Sequence, residues 1–378
     1  MIDLAELFPP TYAAARARFR ANLGLVQAMW RGARLEIFCV DAAEDVTIDW
    51  IAAEPAHKRK LLVLTTGEHG VEGYVGAAML QLFIRESLPC LDPTDTGLLL
   101  VHAINPWGMK HKRRTNARNV DLNRNFLYNA QPDPRFNPTY ARLARVLLPQ
   151  ARVNAWLSPA GFAAEFLFAS ARLGRDAVRR AALLGQYAFP RGLFYGGDAI
   201  QAETQTLMGL YRAGLRAYDQ IVHLDMHTGY GPRYQMQLVN SALEPRSSRQ
   251  CAAQFNYPFV AQATASEFYE LRGDMIDYLY AVRCEEFPAT QLYATSFEFG
   301  TLGDSPWHAF RSLQIKTLEN QAYWYGASDA ARAQIARDFD ELYAPRETAW
   351  REKAVADALR AFAGILRAED FLRKENKR

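Results

Sequence analysis

Apolar runs of strand length recur along the chain, and several of them give out at a histidine or an acid. Leu35 to Val40, Thr47 to Ala52, Leu61 to Leu64 and Leu98 to Val101 have the length and flanking turn residues of strands. Between the last two, Val75, Ala78, Met79, Leu82 and Phe83 recur at i, i+3, i+4, i+7 and i+8, one buried face of a helix. Strand, helix, strand within about forty residues is a βαβ unit, which predicts a parallel sheet with right-handed crossovers. Later, Val222, Leu224 and Met226 alternate with His223, Asp225 and His227 before Thr228-Gly229, and Gln291 to Phe299 again reads as a strand.

Helical patterning fills the rest. Thr11 can cap a helix through Arg20. Residues 137–217 break into helical pieces separated by proline and glycine, and Ser305 to Tyr325, Ser328 to Tyr343 and Thr348 to Leu372 read as helices covering a sheet. The expected fold class is α/β, a mixed, mostly parallel sheet sandwiched by helices. We expect a single domain over residues 1–378, with a helical insertion around 137–217 and a helical C-terminus.

Composition narrows the partners. Of 378 residues, 49% are hydrophobic and 22% charged, and 44 basic against 41 acidic side chains leave a net charge of +3. No global field then favours nucleic acid or a membrane surface. Nowhere do 18 apolar residues run together, and the N-terminus carries acids early without a signal-like apolar core, so a cytoplasmic protein is expected. Cys39, Cys90, Cys251 and Cys284 show no CxxC spacing and are expected to be buried, reduced thiols.

The candidate chemistry sits where strands end. Leu61 to Leu64 runs through Thr65, Thr66 and Gly67 into His69 and Glu72. Side chains at the carboxyl ends of strands in an open α/β sheet face the ligand crevice. A histidine with a carboxylate suits zinc, which in catalytic sites takes three protein ligands and keeps one position open. HxxE alone is better explained by a surface turn, but His227 also lies where a strand gives out and makes a third donor. His223 shares its face yet sits about 13 Å back at roughly 3.3 Å per residue, which fits a core histidine better than a ligand. Residues 102–126 read as a structureless polar connection too long to be incidental, and its Lys110, Lys112, Arg113, Arg114, Arg118 and Arg124 suggest an anion site, with a solvated basic surface or a nucleic-acid patch as even alternatives for the loop alone. Glu298, between Phe297 and Phe299 at a strand end, is placed to have its pKa raised, which suits a general base near neutrality.

Taken together, HxxE at 69–72, NPWG at 105–108, DLNRNF at 121–126, the later His227 and the late Glu298 resemble the carboxypeptidase A-like zinc peptidase family. DMHTGYG and FEFGT resemble a bacterial branch of it, related to aspartoacylase and succinylglutamate desuccinylase, rather than the digestive enzymes. The resemblance implies one zinc ion on His69, Glu72 and His227, with Glu298 as general base. It implies an oxyanion-stabilising arginine before DLNRNF, for which Arg113 and Arg114 both qualify and Arg114 is preferred. Asn123 and Arg124 would hold the substrate's free carboxylate, and Asp121 would orient a ligand histidine, with Asp225 able to do the same. The family's mobile tyrosine has no recognisable context; Tyr257, Tyr269, Tyr278 and Tyr280 are in range. The implied activity is hydrolysis of an amide next to a free carboxylate in a small peptide. The alternatives are deacylation of N-acyl amino acids and a catalytically inactive binding module; neither nucleic acid nor membrane is an expected partner, and the oligomeric state is left open.

Overall fold

The computed structural model describes residues 3–264 and 271–373. Eight strands form one sheet: β1 (Arg34–Asp41), β2 (Val46–Ala53), β3 (Lys60–Thr66), β4 (Thr96–His102), β5 (Gln220–Thr228), β6 (Met236–Asn240), β7 (Val260–Gln262) and β8 (Gln291–Phe299). Their spatial order is β1-β2-β4-β3-β5-β8-β6-β7. The four central strands, β4, β3, β5 and β8, are parallel, while β1, β2 and β6 join antiparallel. The fold is therefore mixed and mostly parallel, with helices over both faces.

Burial on both faces explains the sequence of the central strands. Every residue of β3 and β4 is buried, so these read as continuous apolar runs, as parallel strands should. On one face Leu62, Leu64, Leu224, Met226, Phe297 and Phe299 pack with the helices Gly73–Glu86 and Thr348–Ala368. On the other, Leu61, Val63, Val101 and Ile221 pack with Ala202–Ala217 and Met275–Glu286. The helices between residues 138 and 183 form a separate apolar cluster that also takes Phe194 and Leu313. No helix of the described residues is long and apolar enough to cross a membrane.

Three expectations need correction. The last helix stops at Ala368, not Leu372, because Asp370 turns left-handed (φ 61°) and Leu372 pairs with Leu91. Only Cys251 is buried; Cys39 lies on edge strand β1, and Cys90 and Cys284 are exposed as well. Residues 102–126 are not structureless either. Asn105 caps the short helix Pro106–Lys110 by accepting from the Gly108 N–H at 2.8 Å.

That connection holds the turn after β3. The amides of Gly70 and Val71 donate to the carbonyls of Arg114 and Arg113 at 3.1 and 2.9 Å. Gly70 lies so close to Gly108 that a Cβ there would come within 2.1 Å of the Gly108 carbonyl carbon. Its cations, meanwhile, splay apart: Lys110 pairs with Glu44, Lys112 with Asp340, Arg113 with Glu319 and Arg118 with Asp198. The expected six-cation anion site is not formed, since folding spends four of the six on distant acids.

Two stability predictions follow from these contacts. Gly70→Ala should cost about 1–3 kcal/mol by overpacking, whereas Gly24→Ala, with nothing within 4 Å of the added methyl, should be neutral or slightly stabilising by denaturant titration. Arg113→Met should cost about 3 kcal/mol by stranding largely buried Glu319. Adding Glu319→Leu should recover most of that loss; a double variant no more stable than the single would show the ion pair is not the cause.

Candidate metal centre

The register of the sheet assembles most of the site. Parallel pairing sets His227 of β5 directly beside Glu298 of β8, at the 4.7–4.9 Å spacing of neighbouring strands. β3, on the other flank of β5, ends at Thr66, and the turn beyond it delivers His69 and Glu72. All four side chains line one cavity at the strands' carboxyl ends.

His69, Glu72 and His227 each offer one donor atom, and these atoms lie within 4.8 Å of one another. His69 Nδ1 is 2.9 Å from Glu72 Oε1, and His227 Nδ1 is 3.1 Å from Glu72 Oε2. Both imidazoles turn Nδ1 inward and leave Nε2 to an aspartate: His69 Nε2 is 3.0 Å from Asp121, His227 Nε2 2.5 Å from Asp225. Such carboxylates fix ring orientation and tautomer in metal sites. Two inward nitrogens and a carboxylate, with the buried His69 Nδ1 close to Glu72 but not aligned for a hydrogen bond, make a donor set that fits zinc or another divalent ion of similar chemistry.

The electrostatics point the same way. Burial opposes ionisation of Glu72, but the imidazoles of His69 and His227 outweigh it and hold the carboxyl well below its usual range. Burial likewise opposes ionisation of Asp121, and Arg114 and His69 overcome it. Glu298 is pushed up to about 7, by burial first and by the charge of Glu72 second. Its flanking aromatics are not the cause: Phe297 and Phe299 point into the core on the opposite face. The Tyr230 N–H donates to Glu298 Oε1 at 2.9 Å and fixes the carboxylate in the cavity.

The two candidate arginines part company. Arg114 lines the cavity and donates to Glu72 (3.0 Å) and Asp121 (3.2 Å). Arg113 points away, toward Glu319 and Asn119, with its guanidinium 3.7 Å from the centre of the Tyr323 ring. Asn123 and Arg124 line the cavity, but Arg124 donates to the carbonyls of Asn123 and Leu183 at 2.7 and 2.8 Å. His223 is a core residue, its Nε2 2.8 Å from the Thr65 hydroxyl.

Several residues in or beside the cavity carry no sequence signal. Glu68, buried beside His227 and pushed well up in pKa by that burial, precedes HxxE inconspicuously. Tyr343 and Lys316 arrive on C-terminal helices and Phe194 from the 137–217 stretch. Tyr257, Tyr278 and Tyr280 spend their hydroxyls on Met236, Arg212 and Glu244, away from the site, and Tyr269 lies outside the described residues. Among the described residues, the tyrosine between His227 and Glu298 that lines the cavity is Tyr230, within the GYG that follows His227.

No curated protein matches the chain in sequence. Among solved structures it is similar to a carboxypeptidase A from Helicoverpa armigera (12% identity, 85% of this chain and 74% of that one, TM-score 0.46). It is also similar to a metallo-carboxypeptidase from Burkholderia cenocepacia (15%, 94% and 69%, 0.42) and a succinylglutamate desuccinylase from Silicibacter (15%, 78% and 67%, 0.35). Likeness at this level concerns the course of the chain, not its chemistry. Residues 8–357 match the family described as Protein of unknown function (DUF2817), and the chain belongs to that family.

Proposed function

We propose that the protein is a metal-dependent hydrolase that cleaves an amide bond next to a free carboxylate. The observation that carries this reading is the convergence of His69, Glu72 and His227 within 4.8 Å, with Glu298 on the adjoining strand. His69 and His227 through Nδ1, and Glu72 through its carboxylate, would hold one divalent ion, zinc by the nature of the donors. When bound, such an ion supplies a more acidic water and polarises the scissile carbonyl.

The chain's own groups then divide the work. Glu298, with Oε1 held by the Tyr230 amide, takes the proton of the attacking water on its other oxygen. It returns that proton to the amide nitrogen as the C–N bond breaks, leaving an acid and an amine. Arg114, fixed by Glu72 and Asp121, is a cation in place before negative charge develops on the carbonyl oxygen, so little reorganisation opposes the reaction. Asp121 and Asp225 keep the two imidazoles turned inward. Asn123 sits where it can meet the substrate's polar end.

A second reading, deacylation of N-acyl amino acids, is favoured by one observation. Among the described residues the cavity holds only about 60 Å³, well below the several hundred Å³ of a pocket for a larger ligand, which favours the smallest substrates, N-acyl amino acids among them, over long peptides. Assaying dipeptides beside N-acyl amino acids separates the two, and turnover of the latter alone would select deacylation.

Two measurements test the shared core. Metal analysis should find about one divalent ion per chain, lost in His69→Ala and His227→Ala, while Glu298→Gln keeps the ion and loses at least a hundredfold in kcat. Full activity in Glu298→Gln would remove it as the base. Because the base form is required, kcat/KM should rise with pH through the pKa of Glu298. That group sits at about 7 without a cation, and a bound cation favours its charged form, so the acid limb should fall below pH 7 and vanish in the glutamine variant's residual rate.

A further inference from the structure

Three cations surround one aromatic ring in the cavity. The guanidinium carbons of Arg114 and Arg124 lie 5.7 and 5.6 Å from the centre of Phe194, and Lys316 Nζ lies 5.9 Å from it. Lys316 Nζ is also 5.9 Å from the centre of the Tyr343 ring. Two of the three are engaged by the protein: Arg114 by the carboxylates of Glu72 and Asp121, Arg124 by the carbonyls of Asn123 and Leu183. Lys316, on the helix Pro306–Tyr325, pairs with no carboxylate or carbonyl among the described residues. It faces the same cavity as His69, Glu72, His227 and Glu298.

A cation in that position is costly to keep. Burial first, and Arg114 second, push its ammonium down to about 7, and the charges of Glu72, Glu298 and Asp121, which act the other way, do not offset that burial. An anion arriving from solution would. A lysine, unlike an arginine already locked in a planar fork, is a compact charge with three rotatable donors on a flexible stem, able to follow a carboxylate whose angle varies from one substrate to the next.

We propose that Lys316 receives the free carboxylate of the substrate, the role that the sequence resemblance gives to Arg124. This deepens the amide-hydrolase reading and rests on it for the identity of the anion. Lys316 makes the site select acids over the corresponding amides, and Arg124 braces the cavity wall through its main-chain partners.

The probes are N-acetylglycine and N-acetylglycinamide, titrated calorimetrically into the metal-loaded full-length protein. Wild type should bind the acid more tightly than the amide. Lys316→Met should weaken the acid by about tenfold to a hundredfold, the worth of a charge-assisted hydrogen bond, leave the amide unchanged, and keep the metal content; Lys316→Arg should recover most of the loss. If Lys316→Met does not fold, Lys316→Gln supports the same comparison. Equal losses for acid and amide, an unaffected acid, or no preference in wild type would overturn the proposal. Because the readout is heat of binding, acid selection through Lys316 in a chain that hydrolyses no amide would sink the hydrolase reading and leave the anchor standing.

Discussion

Too much buried negative charge in one place is the constraint on which the rest of this structure depends. Glu68, Glu72, Asp121, Asp225 and Glu298 are all withdrawn from water around one cavity. Arg114, Arg124 and Lys316 are the cations beside them. Carboxylates do not gather in a low-dielectric site unless something compensates them. Without an ion the compensation is partial: Glu72, Asp121 and Asp225 ionise against imidazoles and Arg114, while Glu68 and Glu298 are driven toward their protonated forms. A divalent cation would relieve that imbalance at its centre, and this supports our proposal that His69, Glu72 and His227 hold one.

The fold meets the constraint by dividing the task between sheet and connections. Parallel register sets His227 beside Glu298, although seventy-odd residues separate them in sequence. A strand cannot supply His69 and Glu72 at the same depth, since its side chains alternate faces. They come from a tight turn whose amides are held by the carbonyls of Arg113 and Arg114, with Gly70 against Gly108 at backbone contact. The side chain of Arg114 then bonds Glu72 and Asp121. The same short segment fixes the turn, a cation and the hydrogen bonds that orient the donors.

What could be read in the sequence follows this division. The central strands were legible because burial on both faces makes them apolar, and the histidines and acids at their ends stand out against that background. β6 and β7, of five and three residues at one end of the sheet, are too short to show a period, and they left no pattern to find. The cation-rich connection misled for a physical reason. Charge counted along a chain says nothing of partners, and Glu44, Asp198, Glu319 and Asp340 come from remote segments. Glu298 was legible as a carboxyl with a raised pKa, but its flanking phenylalanines were the wrong cause, since alternation along β8 sends them to the other face.

The residues that sequence reasoning could not reach share a location. Phe194, Lys316 and Tyr343 sit on helical segments outside the sheet, where one lysine or aromatic among many has no period or spacing to mark it. Groups placed by strand ends and by the docked turn are tied to the fold, because moving any of them means changing register or breaking a backbone contact. Groups placed by covering helices are exchangeable, since a helix can keep its buried stripe while its cavity-facing position changes. His69, Glu72, His227 and Glu298 are therefore held by the fold itself, whereas the wall around Phe194 can change without disturbing it.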